Sequence, residues 1–312
     1  MKSYNNFLGI DIGKKAFVVA IHGEKTTKEY GNDATGIACF IKEKKSALSS
    51  GLCVVETTGG HEMRLLLNLC DAGFSAHRAP GRKIKNFIRS YGNEAKTDEI
   101  DAKALARYAQ ERFESLELFI PPSQNARQLY ELAQRRNDIK QMLVMEKCRL
   151  QAPRVEYIKE SIEEIIQSLK KSLDIITQKI NELIETDKNL KEKKRVLLTV
   201  SGIGNIIANE LLILVPELGS LNRREIASLV GVAPIARDSG QLKGYRRTGH
   251  GRGGIKPSLF LAAMAARQSK TSLKTFYESL IARGKKKMVA LTALMRKIIV
   301  IANARLKEMA AA

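Results

Sequence analysis

The chain of 312 residues is long enough for two domains, each with its own hydrophobic core. Its 53 lysines and arginines against 33 aspartates and glutamates give a formal net charge of +20, which favours a polyanionic partner, first of all nucleic acid, over a merely soluble basic surface. The sequence has no membrane span and no leader, and its four cysteines form no C-x-x-C pair, so we predict a reduced, cytoplasmic protein.

The first predicted element is a β-hairpin over residues 7–21, in which two apolar, β-rich runs flank a Gly-Lys-Lys break. Asp11 stands in the middle of the first run. A carboxylate there is costly to bury unless a cation lies beside it, either a basic side chain or a divalent metal ion. Asp11 is therefore the first candidate metal ligand.

Strands and helices alternate over the next 90 residues. We predict strands at 26–30, 52–56 and 74–79, and helices at 35–49, at 61–72, after Pro80-Gly81 and from Asp98. This order opens with an antiparallel hairpin and therefore predicts an α/β domain, a mixed sheet with helices packed against it.

Three further carboxylates have settings that suit a metal site. Glu56 ends a short buried strand, and Asp98 and Asp101 start a helix three residues apart, so that both project from one face. Helix capping, with Asp98 as the N-cap, explains that pair but neither Asp11 nor Glu56. If all four converge, their hard oxygen atoms favour Mg²⁺ or Mn²⁺, and two such ions about 4 Å apart support phosphodiester cleavage.

A boundary at Pro121-Pro122 precedes two long helical patterns, at 123–151 and 155–194. The second carries an apolar seam with heptad-like steps and one extra four-residue step. Its members are Ile158, Ile162, Ile165, Leu169, Leu173, Ile176, Ile180 and Leu183, and Ile166 and Ile184 widen it. This pattern predicts an antiparallel helical hairpin or a dimerising coiled coil.

A second globular unit is predicted from Arg195 onward. Its first segment has the pattern of a helix-hairpin-helix, in which Gly202 and Gly204 form a turn that holds one phosphate; the alternative is that these glycines only allow two helices to cross closely. Helices are predicted at 257–268, 273–283 and 288–308.

A loop rich in glycine and arginine, residues 237–256, contains one acid, Asp238, followed by Ser239. Nearby cations would stabilise the charge that builds when a serine attacks phosphorus, so Ser239 is the preferred nucleophile and Tyr245 the rival. Taken alone, however, the charge run favours a solvated loop that only contacts phosphates. The residues predicted to contact nucleic acid are Arg237, Lys243, Arg246, Arg247, Arg252, Gly202 and Gly204.

Several of these motifs together resemble one family. They are Gly9–Gly13, Val55–Gly59, Lys96–Ala102, Ala233-Pro234 through Gly240, and the terminal segment from Gly284 to Ala304. In combination they resemble the insertion-sequence transposases with a DEDD, RuvC-like N-terminal domain, a group that includes the pilin-gene invertases. The resemblance covers nearly the whole chain.

The resemblance implies an RNase H-like fold up to about residue 110 and Mg²⁺ held by Asp11, Glu56, Asp98 and Asp101. It also implies Ser239 as the covalent nucleophile, a structured guide RNA that pairs with donor and target DNA, and a dimer of dimers in which the acidic site of one subunit joins the serine of another. The domains would be a catalytic domain at 1–115, a helical coiled-coil region at 116–194 and a mainly α C-terminal domain at 195–312.

Two other classes of function remain open from the sequence. One is a RuvC-type metal nuclease or Holliday-junction resolvase that uses water as its nucleophile and binds DNA with its C-terminal half. The other is a catalytically silent nucleic-acid-binding scaffold.

Overall fold

The computed structural model describes residues 3–92, 97–236, 238–241, 244–249 and 251–311. The chain forms two compact units, Met1–Pro122 and Ser123–Ala312. They are described separately below. Arg237 and Lys243, both predicted to contact nucleic acid, lie outside the described residues.

The first unit is a mixed five-stranded sheet with helices against it, as the element order predicts. Its elements are β1 (Asn6–Ile12), β2 (Ala16–Ile21), β3 (Thr27–Gly31), α1 (Ala34–Glu43), α2 (Lys45–Ser49), β4 (Gly51–Glu56), α3 (Glu62–Asp71), β5 (Ser75–Ala79), α4 (Gly81–Ser90) and α5 (Asp98–Arg112). The strand order is β3-β2-β1-β4-β5. The first three strands pair antiparallel, and β1, β4 and β5 pair parallel.

Each face of this sheet has its own apolar core. Side chains of α1, α2 and α3 pack with Leu8, Ile10 and Val55 on one face. On the other face, α4 and α5 pack with Leu52 and Val54. Because neighbouring residues in a strand point to opposite faces, the apolar runs of β1 and β4 can serve both cores.

Helix α5 lies unusually close to β1 because of Gly9. A Cβ atom at this position would lie 2.1 Å from the Ala102 carbonyl oxygen and 2.1 Å from the Ala106 backbone nitrogen. Only a residue without a side chain permits this contact between helix backbone and strand. Asp11 follows Gly9 by two residues and therefore points to the same face, toward α5.

The second unit is almost entirely helical. Its elements are α6 (Gln124–Gln151), α7 (Glu156–Thr186), α8 (Lys188–Leu198), α9 (Asn205–Leu214), α10 (Arg223–Leu229), β6 (Pro234–Ile235), β7 (Arg247–Thr248), α11 (Ile255–Ala266), α12 (Ser272–Ala282) and α13 (Lys287–Ala311). Leu129 of α6 and Ile180 and Ile184 of α7 share one apolar core with the C-terminal helices. The helical region and the C-terminal helices are thus parts of one compact unit.

Helices α6 and α7 form the antiparallel hairpin, but the predicted continuous helix at 155–194 is wrong. The chain breaks at Asp187, whose backbone is extended and whose side chain accepts a hydrogen bond from the Leu190 N–H at 3.1 Å. An aspartate that caps a helix start competes with continuation of the preceding helix. Dimerisation through this region stays a prediction.

The apolar seam of α7 is buried only in part. Ile162 and Ile180 of the predicted seam are buried, as are Ile166 and Ile184, which were predicted to widen it. Ile158 and Ile165, also predicted members, are 43% and 45% exposed.

Candidate active site

Asp11 and Glu56 lie side by side at the carboxyl ends of two neighbouring parallel strands. Ile10 of β1 pairs with Val55 of β4, so the next residues in the same register are Asp11 and Glu56. Residues in matching register on adjacent strands, about 4.8 Å apart, project to the same face of the sheet. Tertiary pairing therefore unites two acids that are 45 positions apart in the sequence.

Asp98 and Asp101 reach the same region from the first turn of α5. The N-cap of this helix is Thr97, whose Oγ1 accepts a hydrogen bond from the Ile100 N–H at 3.2 Å. The alternative in which Asp98 caps the helix is therefore wrong. With the cap position filled by Thr97, neither carboxylate serves as the cap, and acids in a first turn interact favourably with the helix dipole.

The ionisation of Asp11 indicates that the four carboxylates converge. Its pKa is raised from 3.8 to about 6, first because burial disfavours the charged form and then because the charges of Asp101, Asp98 and Glu56 repel it. The Ile12 N–H opposes this increase only in part. A carboxyl pKa raised by three neighbouring carboxylates is typical of a site that is built to receive a cation.

The donor set fits a hard divalent cation in its chemistry. All four side chains offer carboxylate oxygen, and a bound cation would relieve the repulsion that raises the pKa of Asp11. Within the described residues, however, no group of three His, Cys, Asp or Glu side chains is gathered closely enough to hold an ion. The four acids are electrostatically coupled but are not arranged as a preformed metal cage.

Glu56 also lies against the start of α4, where Gly81 leaves space for it. A Cβ atom at Gly81 would lie 2.6 Å from Glu56 Oε1. Gly81 is the first residue of α4, and its backbone does not need the left-handed region. The glycine therefore permits the close approach of the carboxylate, a role that no pattern in the sequence indicates.

A fifth acid, Glu62, holds the loop that follows Glu56, and sequence reasoning missed it. The Glu62 side chain is fully buried and accepts hydrogen bonds from the Thr58 and Gly60 N–H groups and from the Arg78 guanidinium. Burial alone raises the pKa of Glu62, but these hydrogen bonds outweigh it and leave the pKa below its ordinary value. A glutamate in the first turn of a helix gives no signal in the sequence, because its partner, Arg78, is on the strand β5.

In the second unit, Ser239 and Tyr245 are both exposed on the loop between β6 and β7. This loop is organised by Asp238. Its two carboxylate oxygens accept hydrogen bonds from Arg246 Nη1 and Nη2 at 2.6 and 2.8 Å, and Oδ1 also accepts one from the Gly244 N–H. The ion pair lowers the pKa of Asp238 and raises that of Arg246, so both stay charged.

Arg252, another predicted nucleic-acid contact, is occupied within the unit. Its guanidinium donates to both carboxylate oxygens of Glu217, at 2.7 and 2.6 Å, and to the Leu214 carbonyl. The neighbouring Gly251 packs backbone to backbone on Gly231, where an added Cβ would lie 2.3 Å from the Gly231 nitrogen. This close approach explains the glycine at position 251.

The turn between α8 and α9 uses its two glycines differently. Gly202 has a φ of +92°, and a Cβ atom there would lie 2.3 Å from the Ala262 carbonyl oxygen, so this glycine permits a close crossing with α11. Gly204 precedes α9 as its N-cap and has open space around its Cα. The close-crossing alternative therefore accounts for Gly202, while phosphate binding at Gly204 stays a prediction.

A mixed sheet with acids at the carboxyl ends of β1 and β4 and at the start of α5 defines a class, the DEDD domains with an RNase H-like fold. Comparison with known proteins agrees. Residues 8–156 match the family model for the IS110-type DEDD domain, described as "Transposase". Residues 194–278 match the "Transposase IS116/IS110/IS902 family". The chain belongs to this transposase family.

Two relatives are similar over nearly the full length. They are the pilin gene-inverting proteins of Moraxella lacunata and Moraxella bovis, each 25% identical over 312 residues, covering 97% of this chain and 96% of the relative. No helix in the described ranges is both long and apolar enough to cross a membrane.

Proposed function

We propose that this chain is a site-specific DNA recombinase that cleaves and rejoins DNA by using Ser239 as nucleophile together with the carboxylates Asp11, Glu56, Asp98 and Asp101. Membership of a transposase family makes DNA the substrate class. The observation that carries the proposal is the raised pKa of Asp11, caused in part by the other three acids.

The four carboxylates would hold Mg²⁺ or Mn²⁺, which supplies Lewis-acid polarisation of the scissile phosphate when bound. The chain's own part is to fix the acids at one sheet edge. The register of β1 with β4 sets Asp11 beside Glu56, and the contact of α5 with Gly9 brings the helix that carries Asp98 and Asp101 against β1.

Ser239 Oγ would attack a DNA phosphorus, forming a phosphoserine diester as the bond to one deoxyribose oxygen breaks. The serine proton is lost to solvent or a base, and the released oxygen takes up a proton. In the second step a DNA hydroxyl attacks the same phosphorus, rejoins the strand and returns the serine. Because the phosphodiester count is conserved, the reaction needs no external energy source.

The basic residues of the loop divide into two roles in this proposal. Arg246 holds Asp238 and Arg252 holds Glu217, so these two first shape the loop. Arg247, exposed on β7, is left to contact DNA phosphates directly. Arg237 and Lys243 are proposed for the same task from their place in the sequence.

The names of the two relatives suggest the kind of DNA rearrangement. A protein similar to pilin gene-inverting proteins over nearly its whole length would invert or move a DNA segment. The family resemblance adds a structured guide RNA, which would pair with donor and target DNA, and assembly from a homodimer to a homotetramer. The guide RNA and the assembly into a homotetramer are both part of the proposal.

A trapping experiment tests the nucleophile. The substrate is a supercoiled plasmid that carries the coding sequence with its native flanking DNA, and the protein is incubated with Mg²⁺ and any RNA that copurifies with it. We expect a covalent protein–DNA adduct on a denaturing gel, mapped by mass spectrometry to Ser239. Ser239→Ala should abolish the adduct and recombination but preserve DNA binding, whereas Tyr245→Phe, in the same exposed loop, should preserve all three.

The second candidate is a RuvC-type nuclease or Holliday-junction resolvase. It is favoured by one fact, that all four carboxylates belong to the first compact unit and none to the unit with the serine. It predicts metal-dependent cleavage without an adduct and full activity of Ser239→Ala. A catalytically silent scaffold instead predicts that the Asp11→Asn variant has the same effect on DNA as the wild type.

A further inference from the structure

We propose that the exposed face of α4 binds the phosphodiester backbone of the DNA strand that enters the acidic site. This inference rests on the proposed function, because it assigns a surface to the substrate of the same site. We call this surface the α4 basic face and define it by Arg82, Lys83, Lys85 and Arg89.

The fold fixes which side of α4 faces solvent. Ile84 and Phe87 are buried in the core between the sheet, α4 and α5. The four basic residues are all exposed, and the helix, GRKIKNFIRS, has no acidic residue. An amphipathic helix whose only charged side chains are cationic cannot balance its charge internally, unlike a surface helix with mixed charges.

Three charges of this face are not neutralised by neighbouring acids. Lys83, Lys85 and Arg89 form no ion pair with any residue that the structure describes. By contrast, Lys191 and Lys194 of α8 both pair with Glu185. Unpaired, exposed and clustered cations are the electrostatic footprint of a surface that neutralises phosphates.

The position of α4 selects DNA as the occupant. Its first residue, Gly81, is in close contact with the Glu56 carboxylate. A helix of ten residues is about 15 Å long, so the whole basic face lies within about that distance of the acidic site along the helix axis. A phosphate strand that approaches four carboxylates is repelled, and a cationic track beside them offsets that repulsion.

Substitution at the three unpaired positions tests this surface. The variant Lys83→Gln/Lys85→Gln/Arg89→Gln removes three charges and keeps the long side chains. The matched control, Lys42→Gln/Lys44→Gln/Lys45→Gln, removes three charges from α1 and α2, which pack on the opposite face of the same sheet. Both use the full-length protein, and thermal unfolding verifies that each folds like the wild type.

Binding is measured without divalent metal on a fluorescent duplex oligonucleotide of arbitrary sequence, at salt concentrations from 50 to 200 mM. Each lost phosphate contact lowers the log–log salt slope by about 0.9, so wild-type and control affinities should fall about 40-fold more than the variant's over this range. At 50 mM salt we expect the α4 variant to bind at least about 40-fold more weakly than the control, and this difference should narrow toward 200 mM.

The outcomes separate this proposal from the proposed function. If the wild type binds no duplex DNA, the proposed function fails. If the wild type binds but the α4 variant and the control have equal affinity and salt slope, the α4 proposal alone fails. It also fails if the variant loses affinity for a structured RNA competitor while its DNA binding is unchanged, since the face would then belong to an RNA.

Discussion

The acidic site and the serine loop are built in opposite ways. The acids are placed by a sheet register, by a helix packed on Gly9 and by the close approach of Glu56 to Gly81. Ser239 is on an exposed loop that is held by the ion pair of Asp238 with Arg246 and by the two-residue pairing of β6 with β7. Packing holds the strands and the helix that carry the acids in place, whereas an exposed ion pair contributes little fixed structure. We therefore expect these elements to be in place before DNA binds, with the four carboxylates closing on a cation, and the serine to gain its final geometry on substrate.

The largest effect is expected from Asp11→Asn. This change removes the central carboxylate but keeps its shape, so recombination should fall by about a thousandfold or more, as for loss of a principal electrostatic group in a catalytic site. The fold should not suffer, because the substitution also removes a repelled charge. Recombination assays measure the loss of activity, and thermal unfolding at pH 7 measures the stability of the fold. An active Asp11→Asn variant would show that the acidic half of the comparison is only structural.

Gly81→Ala probes how sharply the acidic site is positioned. Alanine is the better helix former and suits the backbone at this position, so α4 should be at least as stable. The added methyl group displaces the end of the Glu56 side chain, and we expect recombination to fall roughly 100-fold, as misplacement of a catalytic group by about 1 Å does.

The control for that experiment is Gly253→Ala, where an added Cβ has open space and no positive φ. It should leave activity unchanged. Shortening the displaced acid in the double variant Gly81→Ala/Glu56→Asp should restore part of the activity. A Gly81→Ala protein with wild-type activity and metal dependence contradicts the positioning role of this glycine.

Asp238→Asn tests the other half of the comparison. Both partners of the ion pair are exposed, so thermal stability should not change measurably. Arg246 loses its bidentate partner, and we expect recombination to slow by about 10-fold while DNA affinity is equal or higher, because a guanidinium is released. If Asp238→Asn unfolds the protein, the ion pair is essential to the fold and the loop is held as rigidly as the acidic site.

The smallest effect is a pH dependence of stability. The folded pKa of Asp11, about 6, is above its ordinary value, so between about pH 4 and pH 6 the folded state binds more protons than the unfolded state. Stability should therefore decrease as pH rises through this window, and the destabilisation is complete above it. Thermal unfolding at pH 5 and pH 7 should show this decrease for the wild type and less of it for Asp11→Asn. Mg²⁺ at pH 7 should restore the lost stability of the wild type but should not change that of Asp11→Asn.

The sequence by itself determined the order of strands and helices in the first unit, because alternation of apolar residues reports the period of each element. It also selected Asp11 and Glu56, since acids at the centre or end of apolar strands are costly without a partner, and Asp98 and Asp101 as a pair on one face of a helix start. The exposed Ser239 was chosen on residue chemistry and resemblance, and its role stays a proposal.

Only the structure decided the rest. Two features depended on local competition that a periodic pattern does not resolve: Thr97 and not Asp98 caps α5, and the side chain of Asp187 ends α7. The roles of Gly9, Gly81 and Glu62 depend on atoms from distant elements. Contacts between residues far apart in the chain are set by packing, and a single sequence carries no record of which residues will meet.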